Sequence, residues 1–301
     1  MVRSSVLASL LLCLVPSIAL SAPLTKEVEV NGARLPYVEE GSGEPIVFVH
    51  GAFSDLRVWE PQREEVAKRY RFIAYTQRYH GVGAWNDNGK NYNTATHVDD
   101  LATFITSLNV GPIHLVGRSG GARVSLIAAL KNPALVRTLT LHEPALLSVL
   151  PAGSAEEKAA REDAARYTAA AVAANKAGDP VHTVRLFFEG VYQLEPGGFD
   201  RLPEATRTMF LDNARVAPLM FAAPPPPVVA CDELKAFPRP TLVTHGEKTQ
   251  ISFKLVNERI SQCVPGAQQV AFPGLMHNAP SANPTAFTAA LFEFLAKRQG
   301  L

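Results

Sequence analysis

The sequence predicts an α/β protein, a mostly parallel eight-stranded sheet with helices on both faces and an all-helical cap inserted after the sixth strand. Three observations predict it. Short apolar runs alternate with helix-length periodic segments from Pro45 to Glu143, and again from Arg239 onward. The runs are apolar throughout, as parallel strands covered on both faces require. Between Glu143 and Cys231 the alternation stops, and only helical signals fill the interval.

In chain order, "KEVEVNG" and "RLPYVEEG" read as an antiparallel hairpin at the sheet edge. "PIVFV" (Pro45 to Val49) is a strand, followed by a helical stretch from Ser54 to Tyr70 and by the strand "RFIAYT" from Arg71. A helix starts at Thr94 or Thr96 and runs through Leu108, with Val98, Leu101, Ile105 and Leu108 apolar. "IHLVG" (Ile113 to Gly117) leads to a helix from Gly121 to Lys131. "VRTLTLHEP" and "RPTLVTHGE" are two further strands, and "QQVAF" is the last. Asn283-Pro284, an N-cap followed by proline at the first helical position, opens a final helix to about Arg298. Within the interval, Ser154 and Glu157 make a capping box before an alanine-rich helix that ends at Gly178. Helices over Val181 to Gln193 and Pro203 to Phe221 follow, then prolines from Pro224 to Pro227. The aromatic residues Phe187, Phe188, Tyr192, Phe210 and Phe221 exceed what these helices need for a core, so they line a pocket or pack onto the sheet.

The 301 residues are 47% hydrophobic and 19% charged, enough for one large domain or two ordinary ones. Residues 1–22 stand apart: Arg3 is the only charge, Val6 to Leu20 is almost wholly apolar, and small residues follow. That pattern is a signal peptide for export, with a permanent N-terminal anchor as the alternative. The remaining chain divides into a sheet domain, residues 23–144 and 231–301, and the cap, residues 145–230. Without Arg3 the 29 Lys and Arg become 28, against 28 Asp and Glu. A neutral chain suggests neither a nucleic-acid nor an anionic-membrane partner, and the partner expected is a small-molecule substrate. Cys231 and Cys263 are the right count for one disulfide in an exported protein, and neither has metal-ligand spacing with a histidine. No metal or cofactor is expected.

The chemistry concentrates at Gly117-Arg118-Ser119-Gly120-Gly121, a G-x-S-x-G pattern between a strand and a helix. A sharp strand-to-helix turn strains its central residue, and small neighbours let the serine hydroxyl stand exposed. The Gly120 N–H then opens a helix, where unpaired donors and the dipole favour developing negative charge. "FVHGAFSD" follows an earlier central strand, where a second N–H is needed for an oxyanion hole; Ala52 is the first candidate and Phe53 the second. Phe53 and Arg118, flanking these donors, are expected to bind substrate. "FPGLMHNAP" puts His277 in the loop after the last strand, where a base reaches Ser119.

"HGAF", "GRSGG" and "PGLMH", in this order, resemble the α/β-hydrolase family from Lys26 to Leu301, and the helical insertion resembles its cap. The resemblance implies a Ser–His–acid triad that attacks a hydrophobic ester or lactone and passes through an acyl-enzyme. Perhydrolysis, carbon–carbon bond hydrolysis and non-catalytic ligand binding on the same scaffold are the alternatives. The chain departs from the family where an aspartate usually follows the seventh strand: "HGEKTQ" has Thr249 there. Glu143, after the sixth strand, is the substitute acid, and the zearalenone-lactone hydrolases of this family are similar at that strand end. Glu247 in the usual loop is the competitor, with capping of the next helix as its other role, and neither residue is the third outcome.

Overall fold

Eight strands form one sheet in the computed structural model, which describes residues 24–298. They are β1 (Lys26–Val30), β2 (Ala33–Glu40), β3 (Pro45–Val49), β4 (Arg71–Tyr75), β5 (Ile113–Arg118), β6 (Val136–His142), β7 (Thr241–Gly246) and β8 (Gln268–Phe272). Their spatial order is β1-β2-β4-β3-β5-β6-β7-β8. β1 and β2 form an antiparallel hairpin through Asn31 and Gly32, both at positive φ, as a tight Asn-Gly turn demands. β2 is antiparallel to β4, and all the pairings from β4 to β8 are parallel. The export segment expected over residues 1–22 lies outside the described residues.

The sheet carries α1 (Glu60–Ala67), α2 (Thr94–Ser107), α3 (Gly120–Lys131), α8 (Cys231–Lys235), α9 (Ile251–Cys263), α10 (Ala279–Ala282) and α11 (Pro284–Ala296). Successive strand residues point to opposite faces. Val47, Val49, Leu115 and Leu141 face the layer of α2, α3 and α9, while Ile46, Phe48, Phe72 and Val116 face α1 and α11. Each Phe or Leu fully buried in this way contributes about 1.5–3 kcal/mol. Cys231, at the start of α8, is bonded to Cys263, at the end of α9, with Cα atoms 5.3 Å apart. Closing that loop stabilises the fold by about 3.5–4 kcal/mol in the chain-entropy account.

Between β6 and α8 lie α4 (Ala155–Lys176), α5 (Pro180–Val191), α6 (Glu204–Asp212) and α7 (Ala217–Ala222). The layer against α1 and α11 continues into them through Val184, Phe188, Phe199 and Phe210. Asp163 of α4 is buried and accepts the Ser252 N–H at 2.9 Å, so a cap carboxylate closes the N-terminus of core helix α9. Among the described residues no helix is long and apolar enough to cross a membrane.

Three local details differ from the sequence reading. The stretch from Ser54 begins as a 3₁₀ turn, Leu56–Trp59, before α1, whose first turn contains Pro61. Proline lacks the N–H that a helix interior needs, so α1 starts there. The third cap helix breaks at Asn213, and Pro218 opens α7. Asn213 Nδ2 donates to Asp55 Oδ2 at 2.8 Å and its Oδ1 accepts the Gly81 N–H at 2.6 Å, fastening the cap to two core loops. The capping box at Ser154 is half formed: Ser154 Oγ accepts the Glu157 N–H, but the Glu157 carboxylate accepts from Gly153.

Candidate active site

Ser119 sits between β5 and α3 with φ +54° and ψ −122°, a conformation that side-chain-bearing residues adopt only under constraint. Its N–H donates to His142 O on β6 at 2.8 Å, and its carbonyl accepts from Arg123 N and Ala145 N at 3.1 and 3.2 Å. The glycines explain themselves by contact. A Cβ on Gly117 would stand 2.7 Å from Ala122 Cα, and one on Gly121 would overlap the carbonyl oxygens of Val49 and His50. Only without those side chains does α3 approach β3 closely enough to leave Ser119 at the bend.

The loop after β3 brings the other amide. Ala52 N lies 3.7 Å from where a Gly120 Cβ would be, so the two N–H groups named from the sequence flank one space. Among the described residues neither amide donates to another group. His50 holds this loop: its Nδ1–H donates to Gly51 O at 2.8 Å and its Nε2 accepts the Gln77 N–H at 2.9 Å. Burial, reinforced by His80, pushes the His50 pKa down to about 3, so this brace is a neutral imidazole.

His277 follows β8, and its Nδ1 is hydrogen-bonded to Glu143 Oε2. A carboxylate only accepts, so Nδ1 carries the proton and Nε2 keeps a lone pair. Glu143 turns off β6 with φ +46° and is fully buried. Its Oε1 accepts the Gly246 N–H and its Oε2 the Thr249 hydroxyl, each at 2.7 Å. Burial works to raise its pKa, but His277 and the hydrogen bonds from His277 and Thr249 prevail and hold it down to about 2. Thr249, which stands where the sequence resemblance implies an aspartate, thus binds the carboxylate that arrives from the neighbouring strand. Phe253 stacks on the His277 ring at 4.2 Å between centroids. His142 Nε2–H donates to His277 O at 3.2 Å while its Nδ1 faces the Thr244 hydroxyl at 2.9 Å, and burial takes its pKa to about 3.

The ligand atoms of His142, Glu143 and His277 lie within 4.8 Å of one another. They do not fit a metal site: both His142 nitrogens, both Glu143 oxygens and His277 Nδ1 are engaged in the hydrogen bonds just described, which leaves only His277 Nε2 open.

Ser119, His277, Gly51, Ala52 and Arg118 line one cleft with the apolar side chains of Val58, Phe187, Phe188, Val191 and Phe210. Its volume is about 10 Å³, room for a single water. Arg118 is 3% exposed; its guanidinium donates to Ser281 Oγ at 2.9 Å and to Tyr192 Oη at 3.2 Å. No sequence signal marks Tyr192 or Ser281 as its partners.

Two expectations are corrected. Phe53 does not line the cleft: at φ +48° its ring turns away and is buried against Phe187 at 5.0 Å, where it seats the cap. Glu247 neither reaches His277 nor caps α9. Its carboxylate accepts the Gly274 N–H at 2.7 Å, bracing the turn after β8, and Asp163 takes the capping role at Ser252.

Comparison with known proteins agrees with this architecture. A family model for the alpha/beta hydrolase fold matches residues 44–284. A 2-(acetamidomethylene)succinate hydrolase from Mesorhizobium japonicum is 27% identical over 281 residues, 90% of this chain and 95% of that protein. Among solved structures, an esterase from Exiguobacterium antarcticum superposes with a TM-score of 0.71 at 19% identity, covering 91% of this chain and 100% of that one. A bromoperoxidase from Bacillus anthracis gives the same TM-score and coverage at 18% identity. The chain belongs to the α/β-hydrolase fold family.

Proposed function

We propose that the protein is a serine hydrolase that cleaves a hydrophobic carboxylic ester or lactone through an acyl-enzyme. The observation that carries this reading is the Glu143–His277 hydrogen bond beside a strained serine flanked by two unpaired amides. His277 Nε2 accepts the Ser119 proton as Oγ attacks the carbonyl carbon. The oxyanion is received by the Ala52 and Gly120 N–H groups, and Glu143 stabilises the imidazolium. The proton passes to the leaving alcohol, and water then enters by the same base and releases the acid. A cleft of about 10 Å³ admits no ester, so α5 and α6 must move outward for substrate to enter.

The apolar run Val6 to Leu20 and the Cys231–Cys263 bond support action after export, in an oxidising compartment. A second reading, scission of an amide or another carbonyl-linked bond by the same groups, rests on the name of the relative that is 27% identical.

The test is labelling by a fluorophosphonate probe, followed by peptide mapping. The label is expected on Ser119, absent in Ser119→Ala, with hydrolysis falling on the order of 10⁵–10⁶-fold. An unlabelled, folded wild type would refute the reading, and a panel of esters, lactones and amides separates the two bond classes.

A further inference from the structure

Arg118 has no acidic partner among the described residues, although the residue is only 3% exposed. A buried charge is costly unless it is paired. Its hydrogen bonds go to two neutral hydroxyls, Ser281 Oγ and Tyr192 Oη, which use two of its five N–H donors. Tyr192 is itself buried, and its oxygen accepts from Arg118. Its O–H is therefore free to donate, and among the described residues it has no acceptor. The result is a group of donors that lacks an acceptor. Glu143 does not serve, since both its oxygens are filled by Gly246, Thr249 and His277. Among the described residues no carboxylate lines the cleft; besides Ser54, Ser119, Tyr192 and His277 its side chains are apolar, so the guanidinium's field there is weakly screened.

A strut between cap and core needs no charge, and a neutral amide would bridge two hydroxyls as well. A planar guanidinium with spare donors, beside an unfilled phenol donor, matches the two oxygens of a carboxylate. Resting on the hydrolase reading above, we propose that Arg118 and Tyr192 form a subsite for a carboxylate carried by the substrate. Arg118 directly precedes Ser119 and shares its cleft, so that carboxylate lies a few bonds from the scissile carbonyl. The substrate is then an ester with an apolar body and one free acid, such as a half-ester of a short dicarboxylic acid.

The experiment compares monomethyl glutarate with dimethyl glutarate, followed by acid release at constant pH. The wild type is expected to favour the half-ester in kcat/KM by about 10- to 100-fold, the worth of one charge-assisted hydrogen bond. Arg118→Gln should collapse that ratio toward one, and Tyr192→Phe should lower it by about 3- to 10-fold. Free glutarate should inhibit the wild type competitively where glutaramide does not, a measurement that needs no variant. A wild-type ratio near one, or an equal loss for both esters in Arg118→Gln, would overturn the subsite. Fluorophosphonate labelling run in parallel separates the two failures: labelled Ser119 with no preference sinks only the subsite, while absent labelling sinks the hydrolase reading beneath it.

Discussion

The tips of β6 and β7 are neighbours with nearly the same text, "LHEP" and "THGE", and they behave as opposites. At the β6 tip, Glu143 is fully buried, takes a left-handed backbone and holds His277. At the β7 tip, Glu247 is exposed and holds only the Gly274 amide. The inserted Gly246 accounts for the difference. A Cβ there would collide with the carbonyls of Leu275 and Met276, so β7 ends pressed beneath the loop that carries His277. Gly246 spends its N–H on Glu143, and Glu247 emerges one residue later, past that loop. A carboxylate's role is decided here by where its strand stops relative to the histidine loop, not by its type.

The sharpest way to break this contrast is to neutralise each acid in turn. Glu143→Gln removes the charge that stabilises the imidazolium and should cost on the order of 10⁴ in kcat, about 5 kcal/mol of transition-state stabilisation. Glu247→Gln should change kcat less than about threefold and stability by about 1 kcal/mol or less. Assays of both on one activated ester decide the point, and a large loss at Glu247 with little at Glu143 would reverse it.

Acid should separate the buried tip from the exposed one next. Burial pushes His50 and His142 to about 3 and His80 to about 4, and takes His97 well below its ordinary value of 6.5. The unfolded chain accepts protons below pH 6.5 that the folded chain refuses, so stability falls as pH drops from there toward the folded values. Each such histidine contributes a slope of about 1.4 kcal/mol per pH unit. Glu143 is lowered as well, but by pairing with His277 rather than by burial: its stabilisation is full above its ordinary 4.5 and is lost as pH falls through about 2. Melting temperatures should therefore drop steeply between about pH 6.5 and 4, and again below 4.5. A flat melting temperature from pH 7 to 5 would mean that these histidines are not buried neutral.

The smallest effect tests the bridge between the tips. Thr249→Val deletes the hydroxyl that fills Glu143 Oε2 but keeps the shape. Oε2 then keeps only the His277 bond; one hydrogen bond to a charged group is worth about 1.5–3 kcal/mol, so kcat should fall by about tenfold with the fold intact, while Thr249→Ser retains most of the rate. Equal activity in Thr249→Val would show that Gly246 and His277 alone suffice to hold the carboxylate.

The strands, their alternation with helices and the serine elbow were legible in the sequence because each depends on neighbours within a few residues. Apolar runs report burial on both faces, and Gly117 and Gly121 report the clearance that a tight turn needs. His277 was legible by its place after the last strand. Its acid was legible only as a ranking, Glu143 before Glu247, because the contact depends on the β6–β7 register that puts Glu143 N against Thr244 O. Phe53 was misread because a single left-handed φ turned its ring from the cleft to the cap. The Arg118 subsite draws on residues 118, 192 and 281, from a sheet strand, the end of a cap helix and core helix α10. Local sterics and periodicity are properties of short segments, so the sequence by itself determined the sheet, the cap and the serine turn. Which side chains meet across strands and layers depends on register, strand ends and backbone hand far apart in the chain, and only the tertiary structure decided that.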